Sequence, residues 1–151
     1  MSISDIYNYV QFNDAIATSG QPLENEFDAI AAVGCKAVVN LAMHNSDDAV
    51  ANEGSIVTAL GMSYFHIPVP FEAPTVTQLK LFINVMQCLT HEKMWVHCAA
   101  NFRVAAFMYQ YQRLVVGLAT DDAKSSVFEY WHPDKVWQDF MMLSAEEIGL
   151  S

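Results

Sequence analysis

The chain has 151 residues, 53% hydrophobic and 16% charged, with 17 acidic against 7 basic residues and a formal net charge of −10 at pH 7. That composition excludes a disordered chain and gives enough length for one domain, 1–151, with a sizeable core. It also sets a surface that repels nucleic acid and anionic lipid, so neither nucleic acid nor a membrane is expected as a partner. No apolar run is long enough to cross a bilayer without charges, and Met1-Ser2-Ile3-Ser4-Asp5 lacks the basic region and apolar stretch of a secretory leader. Three cysteines without framework spacing suit a reducing compartment, and a cytoplasmic location is the expectation.

Residues 1–13 read as a lead-in with a helical turn around Ile6 and Tyr7. Ile16-Ala17-Thr18-Ser19 is a short strand running into the turn-rich Gly20-Gln21-Pro22. Phe27, Ile30 and Ala31 lie on one face of a helix that Gly34 stops. Ala37-Val38-Val39-Asn40-Leu41 is a second buried strand. Ser46-Asp47-Asp48 has the composition of a cap and acidic first turn, opening a helix with Val50, Ile56, Val57 and Leu60 that ends at Gly61. Tyr64-Phe65-His66-Ile67-Pro68 is the third strand. Pro68, Pro70 and Pro74 then demand a shaped loop. Thr75 caps a helix whose Val76, Leu79, Ile83 and Met86 form one apolar stripe.

Lys93 to His97 is the fourth strand. The helix from Arg103 is apolar nearly all round, which predicts a central position, and Gly117 ends it. Helices over about 120–131 and 134–144 place Val127, Tyr130, Trp131, Trp137, Phe140 and Met141 against the rest. Four alternations of strand and helix predict an α/β fold with a mostly parallel four-stranded sheet and helices on both faces. The loops 19–22, 42–46, 68–74 and 98–103 all leave from the carboxyl edge of such a sheet, where ligands bind.

One stretch organises these pieces: Met94-Trp95-Val96-His97-Cys98-Ala99-Ala100-Asn101-Phe102-Arg103-Val104. It reads as a buried strand, a tight loop and a helix N-terminus, which together aim several N–H groups and the helix dipole at one spot. An oxyanion fits that cradle, with Arg103 able to grip two of its oxygens. The same field favours the nucleophilic thiolate form of a cysteine at Cys98. The other reading is an inert buried cysteine beside a structural arginine. Arginine is scarce, since only Arg103 and Arg113 occur.

The His97-Cys98 to Arg103 loop resembles the protein tyrosine phosphatase superfamily, above all its small, dual-specificity-like bacterial phosphatase proteins. Thr18-Ser19-Gly20-Gln21-Pro22, Val38-Val39-Asn40-Leu41, and Gly61-Met62 leading into His66-Ile67-Pro68-Val69 fit the same family in order and spacing, from about residue 15 to about 140. The resemblance implies a three-layer α/β/α fold with the fourth strand central. It implies a hydrolase of phosphomonoesters, acting on a phosphorylated small molecule or protein, in which Cys98 attacks phosphorus. Arg103 and the amides of Ala99, Ala100, Asn101 and Phe102 would hold the equatorial oxygens. A carboxyl from a separate loop would protonate the leaving oxygen, and water would then hydrolyse the phosphocysteine.

The family carries that acid in the loop equivalent to 68–74, where Glu72 is the only ionisable residue. Phe71 and two prolines would reduce its hydration, which suits a proton donor; a solvated loop glutamate is the equal alternative. Asp47 and Asp48 are the fallback. His97 is expected to orient the loop through backbone contacts. Ser19 and Gln21 either position water or substrate or merely make a turn. His44 with Asp47 and Asp48 matches no metal-ligand spacing, and no metal or cofactor is expected. His66, His91 and His132 are isolated, and Cys35 and Cys88 read as packing residues.

Three departures from the family pattern keep other functions open. Four residues separate Cys98 from Arg103 where the signature has five, Asn101 stands where glycine is usual, and Val104 replaces the Ser or Thr that follows the arginine. Rhodanese-type sulfurtransferases have four-residue loops, so sulfur transfer through a Cys98 persulfide is one alternative. A weakly active or non-catalytic phosphate-binding module is the other.

Overall fold

In the computed structural model, which describes residues 2–150, five strands form one sheet in the order β1-β2-β5-β3-β4. The strands are β1 (Val10–Gln11), β2 (Ile16–Ser19), β3 (Ala37–Asn40), β4 (Ser63–His66) and β5 (Met94–His97). β2, β5, β3 and β4 run parallel, and β1 pairs antiparallel with β2. The sequence predicts four strands; β1 is the fifth. Two residues give no alternation to read, and β1 forms because Asn13 Oδ1 accepts the N–H groups of Ala15 and Ile16, folding the lead-in back onto β2. The chain's first helical turn lies at Ile3–Asp5.

β2, β3 and β5 are buried at every position, as expected of strands covered on both faces. Ile16, Ala37, Val39, Met94 and Val96 contribute to one core with α3 (Val76–Cys88), α4 (Phe102–Tyr111) and α6 (Lys135–Met141). Ala17, Val38 and Trp95 contribute to the other, with Phe27 and Ile30 of α1 (Phe27–Ala32), Val57 of α2 (Glu53–Ala59) and Ile6. The chain is thus three-layered, and β5 sits at the centre of the middle layer.

Helix boundaries follow local chemistry. Thr75 and Gln78 close a capping box on α3, whose buried face is Leu79, Phe82, Ile83 and Met86. Val76, expected in that stripe, is displaced from it by Phe82 and stays 36% exposed. The cap expected at Ser46-Asp47-Asp48 is absent. Asp48 adopts a left-handed φ of 63°, the chain turns repeatedly, and α2 begins only after Asn52. α4 continues into a π turn at Gln112–Val116, closed by Gly117 at φ 89°.

The two long helices expected at the C-terminus are broken. They become α5 (Thr120–Ala123), a 3-10 turn at Ser126–Glu129, α6, and α7 (Ala145–Ile148). Asp134 caps α6 directly after Pro133, and Ser144 caps α7. Gln110 of α4 donates to the carbonyls of Phe140 and Leu143, and Arg113 donates to Gln110 and Leu143, so the α6–α7 junction is pinned to the central helix.

Candidate active site

β5 delivers Cys98 to the carboxyl edge of the sheet, and α4 begins four residues later. The intervening backbone is held from behind. Cys98 N–H donates to the Ser19 carbonyl at 3.4 Å, and Gln21 N–H donates to the Ala99 carbonyl at 3.0 Å. Asn8 Nδ2 donates to the Ala100 carbonyl at 3.0 Å, and His97 Nδ1 donates to the Cys98 carbonyl at 3.2 Å. A side chain at Gly20 would bring Cβ within 2.7 Å of the Ala99 carbonyl and 2.5 Å of the Tyr7 ring, so the approach of β2 requires glycine there. With the carbonyls engaged, the N–H groups of Ala99 through Val104 meet no acceptor among the described residues.

Asn101 makes the turn into α4 at φ 71°, a left-handed conformation that asparagine tolerates better than most side chains. Its Nδ2 donates to the Asn8 carbonyl at 2.8 Å and to Thr18 Oγ1 at 3.1 Å, tying the loop to the lead-in. A glycine would supply the turn without the tie.

Arg103 is 6% exposed and forms no ion pair among the described residues. Its Nη1 donates to the Val69 carbonyl at 2.8 Å, its guanidinium lies 5.8 Å from the centre of the Phe71 ring, and its buried Nε has no partner. It lines a cleft of about 440 Å³ together with Ala99, Phe71, Glu72 and Asp47. Cys98 lines an adjoining, mostly apolar recess of about 260 Å³ with Phe71, Phe102 and Arg103. Trp137 Nε1 donates to the Phe71 carbonyl at 2.9 Å, and the Phe71 ring packs 5.5 Å from Trp137 and 6.3 Å from Trp131. Phe102 stacks on Trp131 at 5.0 Å. The proline-rich loop is therefore fixed against α6.

The other sequence-predicted residues fall in different places. Glu72 and Asp47 are both exposed and line the cleft. Ser19 is fully buried, donating to the Gly20 carbonyl and accepting from Trp95 Nε1 at 2.8 Å. Gln21 donates to the Pro22 carbonyl and to Glu53 Oε1 at 2.8 Å. Neither side chain lines the cleft; both steady the backbone behind it. Val104 is fully buried in the core. Cys35 is buried, which pushes its thiol up to about 11 against a smaller opposing effect of Lys93, whereas Cys88, expected to pack, ends α3 in solvent.

Sequence reasoning missed Glu53. It is 3% exposed, and its Oε2 lies 2.6 Å from His97 Nε2. Burial by itself pushes this carboxyl up, but the hydrogen bond and charge of His97, with hydrogen bonds from Gln21 and Tyr64, outweigh it and hold the group below its ordinary value. Burial and the adjacent Glu53 push Tyr64 up to about 12, against a partial lowering by its Asn40 hydrogen bond. The available signal was position: Glu53 precedes Val57 by one helical turn, on the buried face of α2.

Among the described residues no group of three or more His, Cys, Asp or Glu is placed to hold a metal, and no helix is long and apolar enough to cross a membrane. Residues 15–111 match the family described as polymorphic toxin system, DSP-PTPase phosphatase. Among solved structures, the chain is similar to a candidate phosphatase of the DUF442 group from Shewanella putrefaciens CN-32, with 28% identity, a TM-score of 0.86 and 97% of both chains covered. It also resembles PTPMT1, solved in complex with PI(5)P, at 15% identity and a TM-score of 0.75, covering 93% of this chain and 96% of that one. A third is P. aeruginosa TpbA, solved with pTyr, at 14% identity and a TM-score of 0.65, covering 97% and 80%. No curated protein matches the chain.

Proposed function

The chain belongs to the DSP-PTPase phosphatase family of polymorphic toxin systems, and on that premise we propose that it hydrolyses phosphomonoesters through a phosphocysteine on Cys98. The observation that carries this reading is the run of unpaired donors after the end of β5. The N–H groups of Ala99 to Val104, next to Cys98 in the chain, and the buried Nε of Arg103 meet no acceptor among the described residues. Buried donors left unpaired are costly, and a tetrahedral oxyanion satisfies them.

In the first step the Cys98 thiolate forms an S–P bond as the P–O bond to the leaving group breaks. Glu72, on the cleft wall, gives its proton to the departing oxygen. In the second, water attacks phosphorus, the Glu72 carboxylate takes a water proton, the S–P bond breaks and inorganic phosphate leaves. PTPMT1 was solved with PI(5)P and TpbA with pTyr, which supports a phosphomonoester as the substrate class here.

Two assays on the purified protein test this. Release of phosphate from an aryl phosphate, inhibited by vanadate and abolished in Cys98→Ser, is the expected result. Thiocyanate formation from thiosulfate and cyanide without phosphate release would instead assign sulfur transfer. Vanadate binding without any turnover would reduce the protein to a phosphate-binding module.

A further inference from the structure

The buried Glu53–His97 pair lies on the protein side of the loop, away from the cleft, and the phosphoryl-transfer scheme above makes no use of it. His97 is fully buried and Glu53 is 3% exposed, with 2.6 Å between Nε2 and Oε2. The other ring nitrogen donates to the carbonyl of Cys98, the first peptide of the cradle. Both nitrogens therefore face oxygen acceptors, an arrangement that a ring carrying two N–H groups satisfies. Glu53 is itself held by Gln21, whose own N–H fixes the next loop carbonyl, that of Ala99. One carboxylate on α2 thus governs two consecutive loop carbonyls through two intermediaries.

Building on the reading of Cys98 as nucleophile, we infer that Glu53 is a positioning residue for phosphoryl transfer. It orients His97 and Gln21 so that the carbonyls of Cys98 and Ala99 point away from the cleft and the following N–H groups point into it. The other titratable group facing the pair is Tyr64 from β4. His44 and His66 line the small cavity of about 150 Å³ on which Glu53 also borders.

The test compares labelling of Cys98 by anionic iodoacetate and neutral iodoacetamide, read by peptide mass spectrometry across pH. In the wild type, Cys98 reacts ahead of Cys35 and Cys88 and favours iodoacetate. Glu53→Ala should keep a folded circular-dichroism spectrum and lower that preference about tenfold, because the carbonyls are free to rotate inward. Glu53→Gln is the conservative variant. Its amide can donate to Nε2, so the loop geometry and the preference survive while the ring needs only one proton. Its preference for iodoacetate should stay close to that of the wild type. If Glu53→Ala does not fold, Glu53→Leu, which keeps the buried volume and offers no acceptor to His97 Nε2, takes its place. A folded Glu53→Ala or Glu53→Leu that keeps the preference overturns the positioning role, as does a Glu53→Gln that loses it. A wild type in which Cys98 neither leads nor favours iodoacetate would instead overturn the reading of Cys98 as nucleophile, whatever the variants do.

Discussion

At the scale of single residues, the proposed mechanism predicts that Val104 sets the limiting step. In the proposed scheme, formation of the phosphocysteine calls on Cys98, Arg103 and Glu72, whereas breakdown requires the sulfur to depart, a step that a hydroxyl just after the arginine would assist. Val104 is fully buried against the core and has no hydrogen bond to give. A missing hydrogen bond to a developing charge is worth about 1.5–3 kcal/mol, roughly one to two decades in rate. Stopped-flow measurement on an activated aryl phosphate should show a burst of leaving group followed by slow turnover. Val104→Thr, which keeps the branched shape, should raise the steady rate and leave the burst amplitude near its wild-type value. Absence of a burst, together with no gain from the hydroxyl, would show that breakdown is not limiting.

At the scale of elements, what was legible in the sequence was what depends on local pattern. β3 and β5 announce themselves as apolar runs, α3 by its cap and stripe, and the loop from Cys98 to Arg103 by its strand-to-helix setting. β1 was illegible because two residues carry no period and its pairing depends on the Asn13 turn. The late start of α2 was hidden because Ser46-Asp47-Asp48 has cap composition, while the left-handed Asp48 is a property of the folded turn. Glu53 escaped because side-chain partners across 32 and 44 positions of chain have no sequence signature.

Trp137 read from sequence as core, and it is, yet its indole N–H also anchors the Phe71 carbonyl and with it the loop that bears Glu72. Trp137→Phe keeps most of the packing, loses the donor, and should cost about 1–3 kcal/mol of stability by denaturant unfolding. If Glu72 is the proton donor, the same variant should slow phosphate esters with poor leaving groups more than nitrophenyl phosphate. Equal slowing of both would separate this loop from proton transfer.

At the scale of the whole molecule, the proposed anion cradle sits in a protein of net charge −10. The local attraction arises from unpaired N–H groups and a single buried guanidinium, and Asp47 and Glu72 line the same cleft. A dianionic substrate is therefore repelled at long range and captured only at contact. Screening acts on the first effect far more than on the second, because the Debye length falls to about 10 Å at 0.1 M salt while contacts inside the loop stay shielded from ions. Raising potassium chloride from about 20 to 200 mM should thus increase kcat/KM for a small aryl phosphate, by about two- to threefold, through a lower KM with kcat unchanged. Neutralising the rim with Asp47→Asn should imitate low-field encounter and flatten the salt dependence without added salt. A fall in kcat/KM with rising salt, in the wild type and in Asp47→Asn alike, would mean that the field of the loop reaches beyond the cleft and governs the encounter itself.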